Sequence, residues 1–218
     1  MNKTGGRIVI VRQYEVGNFN IFSYMVGDEQ SGECLFIDPA SRCEQLMREA
    51  DSRELSIRYI VNTHCHIDHV MGNREMAQKT GAKTIIHAAD ADGMQNTPPD
   101  ILAMFRAENP PPPDILVKDG DLIRVGNVEL EVIHTPGHTP GGMCLYMDGM
   151  VFTGDTLFVG SVGRTDFPGS SHQDLVHSIR TRLYALPENT VVFPGHNYGY
   201  TPTSTIGQEM RSNGVVRA

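Results

Sequence analysis

No run of apolar residues in this 218-residue sequence approaches the ~20 residues that a membrane-spanning helix needs. The longest near the start, Ile8-Val9-Ile10-Val11, is strand-sized. No basic, apolar and small-residue leader pattern precedes it. Neither a membrane span nor a membrane partner is expected. Cysteine is sparse: Cys34, Cys43, Cys65 and Cys144 are scattered, with no Cys-x-x-Cys pair. That excludes a disulfide framework and a zinc ribbon, and makes a reducing cytoplasm the expected compartment. Basic residues are in deficit, with 18 Lys plus Arg against 26 Asp plus Glu and a net charge of −8. Binding to a phosphate backbone draws on clustered Lys and Arg, so nucleic acid is not an expected partner. No Gly-x-Ser-x-Gly motif offers a serine nucleophile.

What is present is a globular chain with many turns and many imidazoles. The length suits one domain, and such a chain buries roughly 70% of the surface it would expose unfolded. Residues 1–6 read as a polar, glycine-rich tail, and residues 7–218 as a single domain. The counts of 22 Gly, 13 Pro and 9 His suggest loops that carry metal ligands.

Apolar patterning predicts strands at 7–11, 19–26, 34–37, 57–62 and 84–87. Ser41-Arg42-Cys43-Glu44 fits a capping box that opens a helix over 41–51. A second helix is expected over 73–80, ended by Gly81. Residues 92–118 hold six of the prolines, four of them consecutive at 110–113. Regular structure cannot run through that block, so it reads as an irregular surface insertion with one or two short amphipathic turns near Ile101–Phe105. Beyond it, hairpins are predicted at 122–134, turning at Gly126-Asn127, and at 142–153, turning at Asp148-Gly149. Helices follow at 173–184 and 204–212, with a strand at 190–193 between them. Each half has strands and then helices, so two facing sheets with helices outside are the natural packing.

The chemistry gathers where strands end. His64-Cys65-His66-Ile67-Asp68-His69 follows an apolar strand directly. His138, Asp155 and His196 also follow strands, each beside glycine, which lets the backbone turn sharply. Five imidazoles and two carboxylates suit Zn, Fe or Mn and require no thiolate. His134 shares the inward phase of Val128, Leu130 and Val132 and reads as a core or supporting residue. His87, His172 and His177 carry no motif, and an extended Cys65 points away from its neighbours.

His64-x-His66-x-Asp68-His69, followed in order by His138, Asp155 and His196, resembles the metallo-β-lactamase superfamily. The resemblance implies an αββα sandwich, an α/β fold of two facing mixed sheets with a metal site at one edge. It also implies that His64, His66 and His138 hold one metal and Asp68, His69 and His196 a second, with Asp155 bridging. Two divalent ions, zinc first and iron or manganese as alternatives, would then acidify a water for attack on a carbonyl. Asp68 and Asp155 would be the catalytic carboxylates.

Within that superfamily, Gly154-Asp155-Thr156-Leu157-Phe158 and Gly163-Arg164-Thr165-Asp166-Phe167 resemble the glyoxalase II group and the related persulfide dioxygenases. Pro194-Gly195-His196-Asn197-Tyr198 resembles the same group. Both act on glutathione-derived sulfur compounds, so the implied substrate is a small thioester or thiol-derived compound. Arg164 and Tyr198 match substrate-contacting positions of the dioxygenase branch; Arg164 could instead pair with Asp166. Full-length glyoxalase II enzymes add a C-terminal helical domain that is not expected here, which makes a short single-domain hydrolase the closer likeness. In the dioxygenase reading, His64, His138 and Asp155 would hold a single Fe(II).

Overall fold

The computed structural model describes residues 2–4 and 7–217. The first half builds one mixed sheet of seven strands in sequential order: β1 (Asn2–Thr4), β2 (Arg7–Val16), β3 (Ile21–Asp28), β4 (Glu33–Ile37), β5 (Ser56–Val61), β6 (Lys83–His87) and β7 (Ile115–Val117). Between them lie α1 (Cys43–Asp51), α2 (Ile67–Val70), α3 (Asn73–Thr80), α4 (Ala91–Gln95) and α5 (Pro99–Phe105). The second half builds a six-stranded sheet in the order β15-β14-β11-β10-β9-β8. Its strands are β8 (Leu122–Val125), β9 (Val128–His134), β10 (Met143–Met147), β11 (Met150–Gly154), β14 (Val191–Pro194) and β15 (Ser204–Thr205). A small ribbon of β12 (Leu157–Phe158) and β13 (Ser161–Val162) leaves this sheet. Two helices complete it, α6 (His172–Ser178) and α7 (Ile206–Ser212).

Alternation along the strands explains the layering. On β3, Phe22, Tyr24 and Val26 face the second sheet, packing with Leu130, Val132, Leu145 and Phe152. Ile21 and Met25 face the other way, with Leu46 of α1 and Met76 of α3. A strand buried on both faces reads as continuous apolar sequence, as this one does. On the far side, Cys144 and Val151 pack against Leu175, Ile179 and Ile206. The result is the expected αββα sandwich.

β3 is tied to the second sheet along its whole length. At one end the Asp28 carboxylate accepts from the backbone and side-chain amides of Asn127, at 2.9 and 2.8 Å, in the β8–β9 turn. Gly126 in that turn has φ +55°, and a Cβ there would collide with Ser31. In the middle, the buried Tyr24 hydroxyl donates to the Pro194 carbonyl. At the other end Phe22 N–H donates to Gly195 O, and Ile21 bridges to His196.

Several local expectations change. Asn2–Thr4, read as part of a tail, pairs antiparallel with β2. The capping box does not form: Arg42, at φ 55°, is the N-cap of α1 without a side-chain cap, and Ser41 Oγ is buried with no partner. The left-handed turn at Arg42 places Ser41 one residue too early to reach the helix N–H groups. The 92–118 segment is more regular than its prolines suggested. Pro99 sits in the first turn of α5, where proline is tolerated, and β7 adds to the sheet edge beside β6. The 173–184 helix widens into a π-helical turn over Ile179–Leu183. No helix among the described residues is long and apolar enough to cross a membrane.

Candidate metal centre

All seven predicted ligands converge at one edge of the sandwich, on the segments that follow β5, β9, β11 and β14. His64, His66 and His138 form one triad of facing donor atoms, all within 4.8 Å of one another. Asp68, His69 and His196 form a second by the same measure. Asp155 lies between them. Its Oδ1 is 3.4 Å from His69 Nε2, and its Oδ2 is 3.5 Å from His138 Nε2 and 3.3 Å from His196 Nε2. Gly195 makes this approach possible, because a Cβ there would strike Asp155 Oδ1.

Four of the five imidazoles are oriented from behind. His138 Nδ1–H donates to Arg164 O at 2.7 Å, and His196 Nδ1–H to Phe19 O at 2.8 Å. His69 Nδ1 meets Asp38 Oδ2 at 3.0 Å, and His64 Nδ1 meets Thr63 Oγ1 at 3.0 Å. A carbonyl can only accept, so Nδ1 carries the hydrogen in His138 and His196, and their Nε2 lone pairs face the centre. Nε2 of His64, Nε2 of His138 and Oδ1 of Asp155 are buried without a hydrogen-bond partner. Unpaired buried polar atoms are costly, so three converging ones mark a site built for a cation.

Burial shapes the charges here. It pushes the His64 ring well below its ordinary pKa and the His66 ring down to about 3, neighbouring imidazoles adding to the effect. Both are therefore neutral donors. Burial also disfavours a charged His69, yet Asp155, Asp68 and Asp38 outweigh it and raise that ring to about 10. Burial works against the Asp155 charge too, but the rings of His196 and His69 hold its carboxyl well below the usual range.

Two supporting carboxylates escaped the sequence reading. Asp38 follows β4 and accepts from Thr63 N–H at 2.8 Å and Thr63 Oγ1 at 2.6 Å, besides meeting His69. Asp90 accepts from Cys65 N–H at 2.9 Å, Thr139 Oγ1 at 2.7 Å and Gly141 N–H. It thereby joins the loop of His64 and His66 to the loop of His138. Neither stands in a motif: Asp38 directly follows the strand predicted at 34–37, and Asp90 lies between the strand predicted at 84–87 and the 92–118 segment.

The outer residues divide. Tyr198 is 57% exposed, and its ring stacks on His196 with centroids 4.5 Å apart. Arg164 forms a two-pronged pair with Asp166, at 2.9 and 2.7 Å, and lies over the Phe167 ring. Phe167 in turn packs edge-on to His66. His134 stacks on His87 and its Nε2 meets Pro140 O at 2.9 Å, so it buttresses the His138 turn from outside the triads. Cys65 packs among apolar side chains around Ile67.

Residues 16–196 match the family model described as the metallo-beta-lactamase superfamily. The human mitochondrial persulfide dioxygenase ETHE1 is 33% identical over 215 residues, covering 95% of this chain and 76% of that one. The hydroxyacylglutathione hydrolase GloC of Haemophilus influenzae is 31% identical over 200 residues, covering 87% of this chain and 89% of that one. Among solved structures, TTHA1623 in a di-iron-bound form superposes with a TM-score of 0.81 at 31% identity, over 94% of this chain and 99% of that one.

Proposed function

This chain belongs to the metallo-beta-lactamase superfamily, and on that premise we propose that it is a metal-dependent hydrolase of a small thioester of the acyl-glutathione type. The observation that carries the reading is the position of Asp155, which turns one oxygen to His69 and the other to His138 and His196. A carboxylate shared by two triads suits a two-ion centre. His64, His66 and His138 would hold one divalent ion and Asp68, His69 and His196 the other. Zinc is the expected ion, and iron or manganese suit the same donors. Such ions supply Lewis acidity and lower the pKa of water from 15.7 to about 7.

The chain's own groups do the rest. Asp68 has a side chain 20% exposed against 10% for Asp155, so it is the carboxylate that reaches arriving water and orients it. Asp38 and the carbonyls of Phe19 and Arg164 keep the rings turned inward. Arg164 lies over Phe167, which packs on His66, and Tyr198 stacks on His196 itself; there the two contact the thiol portion of the substrate.

A second reading, a single-iron persulfide dioxygenase held by His64, His138 and Asp155, is supported by the likeness to human ETHE1. One pair of assays separates them. Iron-loaded protein of measured metal content is given glutathione persulfide while oxygen is followed, and an acyl-glutathione while free thiol is followed. Thiol release without oxygen uptake is expected. Stoichiometric oxygen uptake would replace the hydrolase reading with the dioxygenase.

A further inference from the structure

A cleft of about 580 Å³ opens between the β2–β3 turn and α5, outside both triads. Its walls include Phe19, Met71 and Phe105, and the two phenyl rings lie 4.7 Å apart. Its polar lining is unusual for this chain. Arg42 and Arg106 both line it, and no Asp or Glu does, although the protein as a whole carries −8. Neither guanidinium pairs with a carboxylate among the described residues. In a chain with 26 acidic side chains, two arginines left unpaired in one cleft present an unanswered positive charge. Ser41, also in the lining, has a buried hydroxyl with no partner.

The cleft adjoins the second triad on two sides. Phe19, in its wall, accepts the hydrogen bond from His196 through its carbonyl. Met71, also in its wall, directly follows α2, which carries Asp68 and His69. A cleft that borders the support of His196, is walled by phenyl rings and carries two arginines suits a ligand with an apolar part and an anionic end.

We propose that this cleft receives the far end of the substrate's acyl group, a short apolar chain ending in a carboxylate. The methylenes lie against Phe19, Phe105 and Met71, and the carboxylate is held by Arg42 and Arg106. The assignment of an acyl group rests on the thioester-hydrolase reading; the anion site rests on the cleft alone. The 92–118 segment, through α5, is thereby a specificity element.

The test compares S-glutaryl-N-acetylcysteamine with its methyl ester, two thioesters that differ in one negative charge. Metal-loaded wild type should prefer the free acid by roughly tenfold in kcat/KM, mostly through KM. In Arg42→Gln/Arg106→Gln the acid-to-ester ratio should fall toward one, and Arg42→Lys/Arg106→Lys should recover part of it. Equal rates in the wild type, or a preference that survives the double glutamine variant, overturns the proposal. If neither thioester is cleaved, the acyl-glutathione assay judges the hydrolase reading, and calorimetry with glutarate judges the anion site by itself. Saturable binding lost in the glutamine variant supports the site, and no saturable binding overturns it.

Discussion

Asp38 Oδ2 lies 3.0 Å from His69 Nδ1, and neither side chain is more than 2% exposed. The same oxygen accepts from Thr63 Oγ1. One carboxylate thus fixes the ring of His69 and the strand end from which His64 departs. Carboxylates in this position orient imidazole donors and raise their basicity. Asp38→Ala should weaken metal binding by about 10- to 100-fold, with the ion at Asp68, His69 and His196 lost first. Metal titration followed by content analysis checks this, and unchanged affinity would reduce Asp38 to a packing role.

Asp155 and His196 separate the two-ion reading from a one-ion reading. Asp155→Ala should remove both ions, or leave one weakly held, and abolish turnover. His196→Ala should lower the metal count by about one per chain. Metal analysis of the purified variants gives the answer directly. A full count in His196→Ala would argue against a second ion there.

Arg164 is exposed and already paired with Asp166. Exposed pairs are worth only about 0–1 kcal/mol, so an arriving anionic substrate can compete for the guanidinium. Arg164→Ala should raise KM for an acyl-glutathione severalfold, with little change in metal content. An unaltered KM would confine Arg164 to its pairing with Asp166 and its contact with Phe167.

Asp28 gives a pH signature away from the site. Its burial disfavours charge, but hydrogen bonds led by the Asn127 backbone N–H hold its carboxyl below the ordinary value. A lowered folded-state pKa contributes stability that is complete above about pH 4 and lost as pH falls through the lower folded value. Asp28→Asn should cost about 1–2 kcal/mol at neutral pH, a fall of a few degrees in Tm. The gap to wild type should narrow in acid. Thermal melts at matched metal content, from neutral pH down through the carboxylate range, measure it.

The seven converging side chains were legible because they stand on segments that follow buried strands, and glycines beside several of them announce a turn. The Gly126-Asn127 hairpin was legible for a related reason, since turn chemistry is local. What escaped depends on distant partners. Asp90 meets Gly141 across 51 positions, and Asp38 meets Thr63 across 25. No local pattern encodes such a meeting. The capping box failed in the opposite way: its local pattern was present, but the left-handed backbone at Arg42 moved the helix start. The prolines of 92–118 were overweighted for a similar reason, because Pro99 opens α5 rather than breaking it.

β3 runs eight residues from Ile21, bridged to His196, to Asp28, held by Asn127. At about 3.4 Å per residue, those anchors stand roughly 24 Å apart. The strand is therefore a lever arm between a purely structural fastening and the reactive groups. A tilt of about 3° around the Asp28 end would carry His196 roughly 1 Å over that length, a displacement of the size that can cost about 100-fold in rate. The turn that holds Asp28 thus stands at the far end of the same strand whose first residue bridges to His196.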